Sequence, residues 1–232
     1  MTDDRLAPNL GSAVTAVVLA GGRSSRFGRS KLQQPFGPTT LLGATIGQVR
    51  QVAGEVVVVG LTTGLPRILA GSLPDEGSRV RVVADDAPFE GPLVGLRRGL
   101  EDARTESVLV IAGDMPLVPP LVLRLLVERL AAEPAASAAG LLDGSEARPL
   151  PLALRRDAAL AAVVELLARG ERSLRALLAA LAAARVPEAE WRALDPHGDA
   201  LLDVDRPADL SRALERASDR ASDRREIGRA HV

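Results

Sequence analysis

Residues 14–20 form a short Val-rich run that stops on Gly21 and Gly22, and similar runs return at 55–60, 80–83 and 108–112. These runs are apolar at nearly every position rather than at alternate ones, which is the pattern of parallel strands buried on both faces. Helical spacing fills the intervals. Residues 41–52 read as a helix, residues 92–101 carry Leu93, Leu96 and Leu100 on one face, and Pro119-Pro120 opens a third helix that runs to about residue 130. Proline suits the first turn because its missing N–H has no intrahelical partner there. Strands alternating with helices require a parallel sheet with helical cover on each side. The expected fold is α/β: a single three-layer Rossmann-like domain, with a mostly parallel central sheet and helices on both faces.

The second half is less regular. Residues 149–154 read as a strand, Asp157 as the cap of a helix ending at Gly170, and Ser173 as the cap of the next. That next helix has Leu174, Leu177, Leu178 and Leu181 at the spacing of one face. A short strand near Leu201-Leu202 is expected to lead into a last helix, with Pro207 near its start and Leu210 and Leu214 facing inward. No break in composition divides the chain, so one domain is expected over residues 12–216. Residues 217–232 are polar and weakly repetitive, which reads as a disordered tail. The terminal EIGRAHV looks like translated adapter sequence and is set aside as non-native.

Composition narrows the chemistry. The chain has no cysteine, which excludes thiolate sites and cysteine nucleophiles, and only two histidines, His197 and His231, so no multi-histidine metal centre is expected. Any metal must be held by oxygen, which favours Mg²⁺ or another hard cation. A net charge of −1 gives no reason to expect nucleic acid or an anionic membrane as partner. The polar, acidic start lacks a signal-peptide pattern and no apolar run is long enough to span a bilayer, so a cytoplasmic location is expected. Aromatics make up 2% of the chain, which leaves Ala, Leu and Val to build the core.

The segment LAGGRSSRFGRSK, residues 19–31, follows the first strand and so stands at the end of a parallel sheet where ligands bind. Gly21, Gly22 and Gly28 let backbone N–H groups approach a phosphate closely, and Ser24 and Ser25 add hydroxyl donors. Arg23, Arg26, Arg29 and Lys31 supply positive charge. Lys31 is the single lysine among 29 basic residues, a hint that a compact ammonium matters there. Read from the residues alone, the segment is either a phosphate-binding loop or a glycine-rich turn with solvated arginines. Its spacing matches neither the dinucleotide-binding nor the P-loop fingerprint.

The same segment resembles the LAGGxSxRMGxxK signature of the nucleotidyltransferases that include molybdenum cofactor guanylyltransferase, with Phe27 where that family usually has Met. Further motifs follow in the family's order. The stretch from Asp85 through Gly91, Pro92 and Leu93 to Gly95 is similar to D-x-x-P-x-x-GPLAG, with Val94 replacing Ala. VLVIAGDMP, residues 108–116, resembles the family's GDxP. RPLPLAL, residues 148–154, resembles the strand that borders the acceptor, and GERSL, residues 170–174, the segment that follows it. DVDRPADL, residues 203–210, is similar to the terminal NxNTPEDL, but both asparagines are aspartates and the capping Thr is Arg206.

The resemblance implies a nucleotidyltransferase that moves GMP from GTP to Mo-molybdopterin, releases pyrophosphate and forms the guanine dinucleotide form of the molybdenum cofactor. It implies that Leu19, Ala20, Gly21, Gly22 and Ser24 hold the nucleotide, and that Arg26 and Lys31 neutralise triphosphate charge. Asp85 would lie near the nucleoside, with Gly91, Pro92 and Gly95 beside the base. Asp114 is assigned to Mg²⁺ and is the foremost catalytic expectation with Arg26 and Lys31. Asp205 is either a second metal ligand, as in related cytidylyltransferases, or with Asp203 merely organises the start of a helix. A cytidylyltransferase for the same cofactor, or another small NTP transferase, is the enzymatic alternative. A nucleotide-binding subunit that delivers cofactor to molybdoenzymes is the non-catalytic one. Molybdoenzymes or other cofactor-synthesis proteins are the expected protein partners, with neither nucleic acid nor membrane.

Overall fold

The computed structural model describes residues 13–21, 31–60, 79–84 and 90–229, without the side chains of 221–229. The centre is a seven-stranded sheet. Its first strand, β1 (Val14–Leu19), pairs in parallel with β4 (Glu55–Val59) on one side and with β6 (Ser107–Ala112) on the other. β5 (Val80–Val83) extends the sheet beyond β4. Beyond β6 lie β8 (Glu146–Arg155), β7 (Ala138–Asp143) and β9 (Ala183–Val186), in that order. Only β8 runs against the rest. The two remaining strands, β2 (Pro35–Phe36) and β3 (Thr39–Thr40), form a separate small hairpin.

Helices cover both faces, as the strand composition requires. On one face lie α1 (Leu41–Val49) and α3 (Pro120–Ala132), joined by the buried Trp191 of α6 (Glu188–Leu194) and Ala213 of α7 (Pro207–Arg229). On the other lie α2 (Pro92–Asp102), α4 (Arg156–Ala168) and α5 (Leu174–Ala180). β1 serves both cores, with Ala16 and Val18 facing the first and Val17 the second. The expected three-layer α/β domain is thus the observed one. Among the described residues no helix is long and apolar enough to cross a membrane.

The order of strands positions the site. From β1 the chain moves to β4 and β5, then returns to place β6 on the opposite flank of β1. The carboxyl ends of β1 and β6 are therefore the switch point of the sheet, the place where ligands bind in open α/β sheets. Leu19 and Ala112 are register partners at that edge.

Several local expectations change. Asp157 is inside the first turn of α4 rather than its cap, because Arg155 occupies the cap position and Asp157 pairs with Arg156. Gly170 lies just past that helix at φ +82°, where a Schellman pair closes it: Gly170 N–H donates to Leu167 (3.0 Å) and Glu171 N–H to Leu166 (2.9 Å). Leu201-Leu202 is not a strand; residues Asp199–Leu201 form a 3-10 turn. Strands β7 and β9 escaped the sequence reading because AAGLLD and AARV are alanine-rich, and pairing with β8 and with each other overrides their helical preference. α7 continues past residue 216, where the tail was expected to begin, and Ala217 packs against the core.

Candidate active site

Glycines set the path of the chain out of β1. Ala20 N–H donates to the Val59 carbonyl (2.8 Å), and Gly60 N–H to that of Val83 (3.1 Å). Gly60 sits at φ +103°, and a Cβ on it would lie 2.5 Å from the Gly21 nitrogen. Only glycine there lets the start of the β1 loop lie across the end of β4. Gly60 ends the Val-rich run of residues 55–60, and a glycine at the carboxyl end of a neighbouring parallel strand is the sequence sign of this close approach.

Gly113 places the acid that follows β6. Its N–H donates to the Leu19 carbonyl (2.9 Å), and its own carbonyl accepts from Thr45 Oγ1 (3.0 Å). A Cβ on Gly113 would come within 3.1 Å of Leu42. Asp114 is thereby held at the switch point, beside the carboxyl end of β1. Its backbone carbonyl accepts from the Val204 amide (3.0 Å), and Val204 is fully buried. That bond brings residues 203–205 against the end of β6.

Lys31 opens a 3-10 turn, Lys31–Gln33, whose Leu32 packs inward. Its ammonium lies between two carboxylates, with Nζ 2.5 Å from Asp114 Oδ2 and 2.8 Å from Asp205 Oδ1. The Lys31 and Asp114 side chains are 19% and 14% exposed against 50% for Asp205, so the cluster faces solvent from one side only. Burial works against the charge on Lys31, but the Asp114 and Asp205 carboxylates outweigh it and hold its pKa above 10.5. Asp203 completes the group electrostatically. Desolvation, then the Asp205 and Asp114 charges, push its carboxyl above the ordinary 3.8, although the residue itself lies at the surface.

The start of α7 is organised by another acid. Asp209 Oδ2 accepts from the backbone N–H of Arg206 (2.8 Å) and of Asp205 (3.2 Å). This is the backward reach of a capping box, and it replaces the cap that Arg206 cannot supply. Asp209 therefore caps, and the Asp205 carboxylate turns to Lys31.

The second group of motif residues meets the third. Gly91 lies at φ +105° just before α2, and a Cβ there would lie 2.9 Å from the Arg172 Cβ. Leu93 N–H donates to the Arg172 carbonyl at 3.4 Å. A cleft of about 590 Å³ opens beside this junction, lined by Pro92, Pro149, Glu171, Arg172, Ser173 and their neighbours. Gly95 is buried within α2.

Of the expected site residues, the structure brings Lys31, Asp114 and Asp205 together, with Leu19, Ala20 and Gly21 alongside. Pro92 borders the cleft instead, with Gly91 packed against Arg172. Gly22, Ser24, Arg26 and Asp85 lie outside the described residues.

The chain matches the model of the MobA-like NTP transferase domain over residues 16–186. It belongs to that family. As a MobA-like protein it is a nucleotidyltransferase, and its relatives agree along most of their length. It is 33% identical over 201 residues to a protein of Chloroflexus aggregans named probable molybdenum cofactor guanylyltransferase, across 85% of this chain and 91% of that one. It is 34% identical over 176 residues to the molybdenum cofactor guanylyltransferase of Xanthomonas euvesicatoria, across 74% and 82%. Among solved structures, the molybdopterin-guanine dinucleotide biosynthesis protein A of Archaeoglobus fulgidus superposes with a TM-score of 0.71 over 88% of this chain and 99% of that one. At 21% identity, that last likeness bears on the fold of the MobA-like domain alone.

Proposed function

We propose that this MobA-like protein transfers GMP from GTP to a molybdopterin-type acceptor in the cytoplasm, with a divalent cation such as Mg²⁺ held by Asp114 and Asp205. The observation that carries this reading is the bridging of those two carboxylates by Lys31 at the switch point of the sheet. The donor set fits a hard cation. It is all oxygen, and one oxygen, Asp114 Oδ1, is buried with no hydrogen-bond partner among the described residues. A buried carboxylate oxygen left unsatisfied is costly unless a ligand completes it.

In the reaction, an oxygen of the acceptor's phosphate forms a bond to the α-phosphorus of GTP. The bond from that phosphorus to the β-bridging oxygen breaks, and pyrophosphate leaves. The nucleophile is already anionic, so the chain has no need of a histidine base. Gly21 is proposed to present its backbone N–H to phosphate, and Lys31 to neutralise the charge that grows on the departing pyrophosphate. Arg26 is proposed to share that work. The bound cation supplies charge neutralisation and orientation of phosphate oxygens. Asp85, Gly91, Pro92 and Gly95 are proposed to flank the nucleoside, and the cleft beside Arg172 to take the acceptor.

A CTP-using enzyme is the second reading, favoured by the aspartates at 203 and 205. Thermal stabilisation by GTP, CTP, ATP and UTP, each with and without Mg²⁺, separates the two because selective binding to the folded state raises its stability. We expect a Mg²⁺-dependent shift with GTP. A shift with CTP alone would transfer the assignment to the cytidylyl reaction. Pyrophosphate release with acceptor present then distinguishes an enzyme from a delivery subunit.

A further inference from the structure

We propose that Lys31 is a resident counter-cation that makes divalent-cation binding conditional on a polyphosphate ligand, so that the site accepts metal with its nucleotide and rejects metal alone. The inference rests on the assignment of Asp114 and Asp205 to a cation, and concerns what occupies their shared position before one arrives.

Lys31 Nζ already lies within ion-pair distance of both carboxylates, at 2.5 and 2.8 Å. These acids come from separate elements, the end of β6 and the approach to α7, and the one ammonium offsets one of their two negative charges. A divalent cation entering to bind both would meet a like charge in the place it needs. A lysine ammonium carries its charge at neutral pH, so the position is not vacated by loss of a proton. The ammonium must move instead.

Its attachment permits that movement. The backbone of Lys31 is fixed by the 3-10 turn, with the Gln34 N–H on its carbonyl at 3.0 Å. The head sits on a flexible four-carbon stem and remains partly exposed. A triphosphate bound at the carboxyl end of β1, beside Lys31, offers the ammonium a denser anionic partner. With Lys31 turned to phosphate, Asp114 and Asp205 become available to a cation, and the orphaned Asp114 Oδ1 gains a partner. Nucleotide and metal then promote each other's binding by the same factor, as linkage requires. An arginine in that position has a planar fork that would hold two carboxylates more rigidly, which gives a physical reason for this chain's single lysine to stand here.

The test is a Mn²⁺ titration of the full chain followed by electron paramagnetic resonance, which reads free Mn²⁺ without any turnover. It compares the unsubstituted protein with Lys31→Met, each with and without GTP and with no acceptor present. In the unsubstituted protein, GTP is expected to tighten Mn²⁺ binding at least roughly tenfold, within the usual range of coupling between sites. Lys31→Met is expected to bind Mn²⁺ alone roughly tenfold more tightly than the unsubstituted protein, with most of the dependence on GTP lost. Lys31→Arg, which keeps the charge, is expected to leave Mn²⁺ alone weakly bound and so to tie the gain to lost charge. Lys31→Met with unchanged or weaker affinity for Mn²⁺ alone overturns the inference while leaving the cation assignment standing. If the unsubstituted protein binds GTP but no Mn²⁺ with it, the cation assignment fails and the inference falls with it.

Discussion

Two pairs of aspartates in this molecule are each bridged by cations, and they behave as opposites. Asp114 and Asp205 share one ammonium near solvent, with side-chain exposures of 14% and 50%. Asp195 and Asp199 are 1% exposed and are held by two guanidinium groups from α7. Arg216 pairs with Asp199 and donates to the His197 carbonyl. Arg220 lies 2.5 Å from Asp199 Oδ2 and 3.4 Å from Asp195 Oδ1, and donates to the Leu117 carbonyl at 2.9 Å. The Ala200 N–H donates to Asp195 Oδ2 at 2.7 Å. Planar forks with several acceptors suit a permanent buried contact, whereas one movable ammonium near solvent suits exchange. Carboxylate pairs of the same chemistry thus serve as a fastening in one place and, under the proposed function, as a cation position in the other.

The largest expected effect tests the fastening. Arg220→Ala leaves the buried Asp195 with the Ala200 N–H and no guanidinium among the described residues, and Asp199 with Arg216, a loss typically costing about 3–5 kcal/mol. For a domain of this size that corresponds to a fall in Tm on the order of 10 °C, checked by thermal and urea unfolding. Lys31→Ala is expected to change stability by about 1 kcal/mol or less, because its cluster is partly solvated. Similar losses in the two variants would erase the distinction between the pairs.

The next effect runs the other way, in activity rather than stability. Asp114→Asn should lower the rate of pyrophosphate release more than ~100-fold, equivalent to about 2.7 kcal/mol in the barrier, with little change in Tm. Near-normal turnover would remove Asp114 from the catalytic group.

The difference between the pairs also explains what was legible in sequence. The strands beneath the site announce themselves through solid apolar runs, and Asp114 through its place at the end of one. Lys31 stood out as a lone lysine in a glycine-rich loop. Asp195 and Asp199 gave no such sign, since a surface loop of the same composition would read identically and only tertiary contact with Arg216 and Arg220 buries them. The helix that carries those arginines was read as tail from residue 217, because its inward face is made of Arg220 and Ala217 rather than of leucines. The role of Gly60 is hidden in sequence for a related reason: it depends on Gly21, which lies across a strand pairing that sequence does not display.

The smallest expected effect asks whether Asp205 depends on its own support. Asp209 anchors the backbone N–H groups of Arg206 and Asp205, and its pKa is lowered first by Arg212 and then by those amides. Asp209→Ala should cost about 0.5–1 kcal/mol, the lower part of the range for lost caps because the carboxylate lies near solvent. The sign with pH is fixed by the depressed pKa. Below the ordinary value of 3.8 the unfolded chain binds the proton first, so stability rises with pH across that window. The contribution of Asp209 is complete above 3.8 and disappears as pH falls through the lower folded value. Urea unfolding at pH 7 and in acid should therefore show the variant's deficit shrinking below 3.8. Since Asp209 fixes the backbone and Asp205 supplies the carboxylate, the same variant should raise the Mg²⁺ requirement for nucleotide binding only about two- to threefold, below the ~10- to 100-fold typical of losing a partner that orients a metal ligand. A requirement raised as far as by Asp205→Ala would mean that the capping bonds, and not Lys31, hold the Asp205 carboxylate in place.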